Sequence, residues 1–221
     1  LVYAHNSEVF AFASEIQALR PVGEINWDIN LTAIDQYLTY QYIPAPNTIY
    51  REINKLPPAH YMRVNFSGEI KELLCYWQLD FKPDYSRTEK DWMEELEYTI
   101  KESVNVHLVA DVPFGAFLSG GIDSSLVVGY MSKVMSNPVK TFSIGFEEEE
   151  FSELGFAREV ASYWGTDHFE AIVKPDALAI LPEVVKHYGE PFGDSSVIPT
   201  YYLSKLARQH VTMALSGDAG D

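Results

Sequence analysis

The chain has 221 residues, 47% of them hydrophobic, with 32 acidic against 16 basic side chains and a formal charge of −16. That length can build one large or two small domains around real cores, and the apolar content, without low-complexity runs, excludes a disordered class. The acidic balance argues against nucleic acid as a partner, since such binding rests on Lys and Arg neutralising phosphates, and no apolar run reaches the ~18–20 residues that span a bilayer.

The chain opens with two short strands, "LVYAH" and "EVFAFAS", around the turn pair Asn6-Ser7. Ser14 is placed to cap a short helix over "EIQALR", which Pro21 follows. Leu31, Ile34, Leu38 and Tyr42, three and four residues apart, predict a second helix with a shared apolar face. A proline-rich connector, "IPAPNTIYREINKLPPAH", precedes a hairpin of "HYMRVNF" and "EIKELLCYWQL" around Ser67-Gly68. Cys75, the only cysteine, falls in the second of those strands and reads as a packed thiol. A single cysteine excludes an internal disulfide and any multi-cysteine metal site.

The polar stretch "DFKPDYSRTEKD" marks a boundary, with one domain over 1–80 and another over 81–221. Trp92, Leu96, Ile100 and Val104 then predict a helix over 88–107. Strands and helices alternate from there. "FGAFL" is a strand, followed by a helix over 123–135 on which Leu126, Tyr130 and Val134 share a face. "TFSIGF" is a strand, "SELGFAREVASYW" a helix and "HFEAIV" a strand. Helices over 176–188 and 197–209 lead to a last strand, "VTMAL". This order predicts an α/β fold, a parallel sheet with right-handed crossovers and helices on both faces. Both ends, "LVYAH" and "SGDAGD", look cut inside structured elements, so the chain is expected to be a fragment of a longer protein.

In an open parallel sheet, ligands collect at the carboxyl ends of the strands. Two strands end alike, "AFL" into Ser119-Gly120-Gly121 and "MAL" into Ser216-Gly217-Asp218. Glycines allow successive backbone N–H groups to converge on an anion, and the helix after the first loop adds its positive end. Ser119, Ser124 and Ser125 can donate hydroxyl hydrogens to phosphate oxygens. A carboxylate in such a cradle would repel its ligand by about 4 kcal/mol at ~4 Å and an effective dielectric of ~20. Asp123 therefore makes most sense as a Mg²⁺ ligand, with Asp218 and Asp221 converging from the other loop.

Other readings of the loop fare worse. A nucleophilic serine needs a G-x-S-x-G elbow, but Phe117 stands two before Ser119, and His168, His187 and His210 carry no supporting signature. A Walker loop needs a lysine where Ile122 stands, and the adjacent glycines do not space as G-x-G-x-x-G. The acidic run at 147–150 reads as a solvated loop, Arg158 and Lys205 as helix-surface residues, and the six histidines lack zinc-ligand spacing.

"SGGIDSS" resembles the S-G-G-x-D-S signature of the PP-loop ATP pyrophosphatases, which split ATP between its α and β phosphates. "FASEIQAL", "YIPAPNTIYREINKLPPAH" and "CYWQL" are similar to the region joining the glutaminase and synthetase domains of glutamine-hydrolysing asparagine synthetases. "TFSIGF", "EPFGDSSVIPTYYLS" and "ALSGDAGD" are similar to the synthetase domain itself. The resemblance runs along nearly the whole chain. It implies a PP-loop (adenine nucleotide alpha-hydrolase-like) parallel sheet over 81–221, preceded over 1–80 by the C-terminal part of an Ntn-type α+β glutaminase domain.

The resemblance assigns Ser119, Gly120, Gly121, Asp123 and Ser124 to the pyrophosphate loop, and the Leu118 and Ile144 backbones to adenine. It gives Ser216, Gly217 and Asp218 to nucleotide and acceptor, with Asp218 catalytic, and Asp123 and Asp221 to Mg²⁺. The implied reaction joins aspartate, ATP and ammonia from glutamine through an acyl-adenylate, in a cytoplasmic, homodimeric enzyme with small-molecule substrates only.

Departures bear on this. The family's glutaminase nucleophile is an N-terminal cysteine, a role Cys75 cannot inherit. Ala219 stands in the second loop and Ala59 in the "PPGH"-like stretch. "EPFGDSS" differs from the best-known aspartate-using members, and some relatives amidate sugars or β-lactam precursors. A non-catalytic nucleotide-binding homologue is the rival class, against which Asp123, Asp218 and Asp221 all argue.

Overall fold

The computed structural model describes residues 1–147, 153–174 and 176–218. Its first elements are β1 (Val2–His5), β2 (Phe10–Ala13), a 3₁₀ turn (Ile16–Leu19), α1 (Leu31–Tyr40), β3 (Ile53–Lys55), β4 (His60–Val64) and β5 (Ile70–Cys75). There follow α2 (Glu89–His107), β6 (Phe114–Phe117), α3 (Ile122–Val134), β7 (Lys140–Phe146) and α4 (Leu154–Trp164). The rest are β8 (Asp167–Val173), α5 (Ala177–Tyr188), α6 (Val197–Ala207) and β9 (Met213–Leu215). Two compact units form, one of Leu1–Lys82 with Ala177–Ser195, the other of Pro83–Asp176 with Ser196–Asp221.

In the first unit β1 lies between β2 and β3, antiparallel to both, with Tyr3 opposite Phe12 and Ala4 opposite Ile53. Val2, Ala4, Ile16, Leu19, Ile25 and Ile53 make its core. The Asn6 side chain accepts the N–H groups of Glu8 and Val9, which shapes the first turn. Ser14 does not cap a helix. Glu15 precedes the 3₁₀ turn and makes no side-chain cap bond. β3 was hidden inside the proline-rich connector, because three residues carry no period and its pairing with β1 is long-range. Equally long-range is the return of residues 177–195, where Glu190 sits 2.5 Å from Lys55 Nζ and accepts the Ile49 N–H.

α1 forms where the spacing predicts it, capped by Asn30 and ended by Gln41 at φ +66°, but it presents the other face. Leu31 and Leu38 are 68% and 75% exposed, whereas Ala33 is fully buried against Ile43 and Ile49. Periodicity shows which residues share a face, not which face is covered, and the small methyl side chain of Ala33 is where the chain can approach closely. β4 and β5 make the expected hairpin. Cys75 ends its second strand exposed rather than packed, with its thiol 3.0 Å from the Trp77 carbonyl oxygen. The two-stranded hairpin leaves the end of β5 uncovered, a consequence that the local sequence does not display.

The second unit is built on a parallel four-stranded sheet of order β8-β7-β6-β9. Side chains alternate across it. Ala116, Leu118 and Val139 meet Val104 of α2, Val128 and Met131 of α3, and Ala157 and Ala161 of α4 on one face. Phe142 meets Ala207 and Val211 on the other, with Phe117, Phe169 and Leu203 packed around them. Both faces of the sheet are thus covered by helices. Burying Val128 and Met131 stabilises the first face by about 1.5–3 kcal/mol each.

α2 starts at a capping box, in which Asp91 N–H donates to Thr88 and the Asp91 carboxylate accepts from Thr88 N–H. α3 buries Ser124, Val128 and Met131, with Tyr130, and leaves Leu126 and Val134 exposed. Of the predicted stripe only Tyr130 is buried, and this apolar helix carries a second stripe with Val128 and Met131. The sheet takes the second, and Gly129 lets the Trp164 ring lie where a Cβ would be 2.9 Å from it.

Candidate nucleotide site

β6 and β9 are parallel neighbours, with Ala116 opposite Leu215, so the loops that follow them leave the same edge of the sheet. Gly121 is the N-cap of α3 and makes no side-chain cap bond, and the first intrahelical N–H is that of Ser125, bonded to the Gly121 carbonyl. The N–H groups of the turn before it point out of the helix end without intrahelical acceptors. Gly120, at φ +85°, makes the bend. A Cβ there would lie 2.5 Å from the Phe156 Cβ and 2.6 Å from the Ala157 nitrogen, so the loop rests directly on the first turn of α4.

These elements enclose a cavity of about 530 Å³. Of the expected site residues it brings together Leu118, Ser119, Gly121, Asp123, Ser124, Ile144, Ser216, Gly217 and Asp218. Gly120 lies behind the loop rather than in its wall. Ser125 faces away, because one further residue turns the side chain ~100° around α3, and it lines a separate surface with Lys133 and Trp164. Asp221 and Ala219 lie outside the described residues, as does the acidic run beyond Glu147. The wall also includes Glu153, the N-cap of α4, with Leu154 and Ala157 of that helix, Ser143 and Phe146 from β7, and Pro199, Thr200 and Leu203 from α6. Sequence reasoning missed these. Pro199 and Thr200 sit inside a stretch singled out only by resemblance, and the α4 residues carry no local signal.

The loop's hydroxyls are committed to one another. Ser124 Oγ donates to the Gly121 carbonyl, which leaves Ser119 as the donor in the 3.0 Å contact between the two hydroxyls. Ser119 Oγ accepts the Gly121 N–H, and the Ser119 N–H donates to Ser124 Oγ. This cycle holds the cradle in shape, and its remaining capacity toward an anion is in backbone N–H groups.

The strand ends shape the opposite wall. Leu118 N–H donates to the Phe142 carbonyl, and Ser143 Oγ, from a residue only 3% exposed, donates to the Leu118 carbonyl. Backbone groups two residues apart on a strand point the same way. Ile144 therefore directs its N–H and C=O toward the β6 side, where β6 has already ended at Phe117. The Ile144 backbone edge and the second lone pair of the Leu118 carbonyl are therefore left without a partner strand at this end of the sheet.

Asp123 and Asp218 both line this cavity. Among the described residues no cluster of three or more His, Cys, Asp or Glu could by itself hold a metal ion. Two carboxylates beside a phosphate cradle fit Mg²⁺, whose remaining ligands are characteristically phosphate oxygens and water.

A parallel α/β sheet with two loops of this chemistry at one edge defines a nucleotide-binding domain of PP-loop type. Residues 95–221 match the asparagine synthase family, and residues 1–77 match the glutamine amidotransferase domain family. The chain belongs to the asparagine synthase family. It is 38% identical over 218 residues to the glutamine-hydrolysing asparagine synthetase 1 of Bacillus subtilis, covering 98% of this chain and 34% of that protein. A relative from Methanocaldococcus jannaschii, whose name provisionally assigns the same activity, is 37% identical over 99% of this chain and 43% of that protein. The chain thus spans about a third to under half of the length of these relatives. "Amidase chyE" of Penicillium rubens is 28% identical over 79% of this chain and 29% of that protein. An NMN synthetase structure from Francisella tularensis overlaps 56% of this chain and 52% of its own, at 18% identity and a TM-score of 0.35.

Proposed function

We propose that this chain carries the ATP-handling site of an enzyme that amidates a carboxylate, aspartate being the acceptor, with ammonia released from glutamine. Residues 1–80 are then the end of a glutaminase domain, and 81–221 the start of the synthetase domain. The convergence of the two loops on one cavity carries the reading. Backbone N–H groups at the start of α3 receive the pyrophosphate, and Ile144 and Leu118 orient the base. An acceptor carboxylate oxygen attacks the α-phosphorus, the bond to pyrophosphate breaks, and ammonia then displaces AMP from the acyl carbon. Asp123, with Asp221 and Asp218, would hold Mg²⁺. That ion supplies charge neutralisation for the leaving pyrophosphate. The chain's own contribution is positioning and preorganised dipoles.

In the full-length protein, aspartate should drive exchange between ATP and pyrophosphate. Absence of exchange with every carboxylate tried would sink the adenylation reading. The second acceptor class is a sugar or secondary-metabolite carboxylate. Exchange with such an acid but not with aspartate would select it. ATP binding without turnover would instead mark a nucleotide-binding homologue.

A further inference from the structure

α4 does two things at its N-terminal end. Glu153, Leu154 and Ala157 form part of the cavity wall. The Phe156–Ala157 backbone is also the surface on which the Gly120 bend rests, too close for any Cβ. The position of α4 along the sheet therefore sets the position of the pyrophosphate loop. Apolar contacts hold the helix down through Leu154, Ala157 and Ala161, with Val160 and Trp164 packed beside them, but none of these contacts has the directionality of a hydrogen bond. The next residue after Ala157 supplies what they lack.

Arg158 Nε lies 2.9 and 3.0 Å from the two Glu170 carboxylate oxygens, and its Nη2 lies 2.7 Å from one of them. This fork is fixed in direction as well as strength. His168 stands beside Glu170, its Nε2 making no aligned hydrogen bond, and Glu170 is tied to β7 through the backbone ladder, opposite Ser143. The Glu170 Oε1 lies 3.1 Å from His168 Nε2, and His168 Nδ1 is 2.8 Å from Thr141 Oγ1, which also contacts Thr166 Oγ1. The anchor for α4 thus extends through β8 into β7, the strand that carries Ile144. Exposed ion pairs usually contribute ~0–1 kcal/mol to stability. With Arg158 60% exposed, a stabilising role alone does not account for a fork this well oriented.

We propose that Arg158 and Glu170 are positioning residues, a clamp that fixes the first turn of α4 against Gly120 and so sets the pyrophosphate loop for ATP. The assignment rests on the adenylation reading for its substrate, and on the geometry alone for its effect on the loop. Neither side chain lines the cavity, so the clamp acts on the site only through α4.

The test uses the full-length protein with Arg158→Met, Arg158→Lys and Glu170→Gln. Two readouts are needed: pyrophosphate release against ATP concentration, and hydrogen exchange of peptides covering 119–125. Loss of the fork should raise the KM for ATP by about tenfold with kcat within about threefold, the size expected for a misplaced binding loop. Glutamine hydrolysis should be unchanged, and exchange over 119–125 should be faster. Arg158→Lys, which keeps the charge and loses the fork, should fall between wild type and Arg158→Met. Should the Arg158 variants fail to fold, Glu170→Gln provides the same two readouts, since it retains a hydrogen-bond acceptor for Arg158. A lower melting temperature with unchanged KM and unchanged exchange would show a merely structural pair and overturn the proposal. So would unchanged exchange by itself. A wild type that releases no pyrophosphate with any acceptor, while the variants exchange faster, would sink the adenylation reading and support the clamp.

Discussion

Gly217, in the loop after β9, lies flat against the backbone of Ser124 in the first turn of α3. A Cβ at Gly217 would sit 2.5 Å from the Ser124 nitrogen and 2.7 Å from the Asp123 carbonyl carbon. The two halves of the candidate site are therefore one packed unit, and the contact is between main chains, so no rotamer change can relieve it. Gly217→Ala must push the loops apart, at about 1–3 kcal/mol for forced overpacking. Pyrophosphate release should fall by ~10²-fold through lost positioning, while glutamine hydrolysis in the full-length protein stays intact. Near-normal release would show that the loops do not act together.

The two glycines of the first loop should behave differently. Gly120→Ala combines a left-handed φ of +85° with backbone contacts under 3 Å to α4, and should cost about 2–4 kcal/mol. Gly121→Ala meets only the Ser119 hydroxyl, at 3.3 Å, and its φ is −69°. It should fold normally and cost under ~1 kcal/mol. Thermal melting of the two variants measures the contrast, and equal losses would contradict it.

Asp123 stands in the first turn of α3, on the cavity wall. Its carboxylate beside a phosphate cradle is tolerable only with a cation between them. Asp123→Ala should therefore remove Mg²⁺-dependent adenylation by at least ~10²-fold. Asp123→Asn, which removes the charge but keeps the size, should be as severe and should weaken the Mg²⁺ dependence. Wild-type activity in either variant rules out the metal assignment.

Much of the second unit was legible, for a definite reason. β6, β7 and β8, of four to seven residues each, carry their period locally, and "SGGIDSS" joins a strand to a helix with no intervening element. What was illegible depends on distance in sequence. β3 exists because Ile53 pairs with Ala4, and Glu190 reaches Lys55 across 135 residues of chain. The exposed side of α1 and the second stripe of α3 follow from which surface is covered, which no single helix encodes. Thr200 and Ala157 reach the cavity because α6 and α4 pack against β7. Their own neighbours in sequence say nothing of it.

Ala59 occupies the left-handed region at φ +56°, in the turn before β4, where its carbonyl accepts the Tyr76 N–H at 2.9 Å. An alanine there costs about 1–2 kcal/mol. Replacing it with glycine removes that strain but loosens the unfolded chain by about 0.4–1 kcal/mol. Ala59→Gly should therefore stabilise the protein by a net ~0.5 kcal/mol, seen as a small rise in the denaturant midpoint at unchanged slope. Destabilisation would show that the strain is relieved elsewhere in the turn.

His168 gives the fold a pH dependence of definite sign. Burial pushes its imidazole below the ordinary value of 6.5, with Glu170 drawing it back up and Arg158 adding to the fall. Glu170 is held below the usual carboxylate range, first by its hydrogen bonds from Arg158, and so stays ionised where His168 titrates. Because the folded imidazole is the weaker base, the unfolded chain takes up the proton first. Stability from this group is complete above about pH 6.5 and is lost as pH falls from there through the lower folded value. The Glu170 contribution has the same sign but is lost only at more acidic pH, below the ordinary value of 4.5. Denaturant midpoints of the wild-type protein should therefore be level from pH 8 to 7 and decline towards pH 5. His168→Gln, which keeps a polar group beside Thr141 and cannot titrate, should flatten that decline. An equal decline in both proteins would place the titrating group elsewhere.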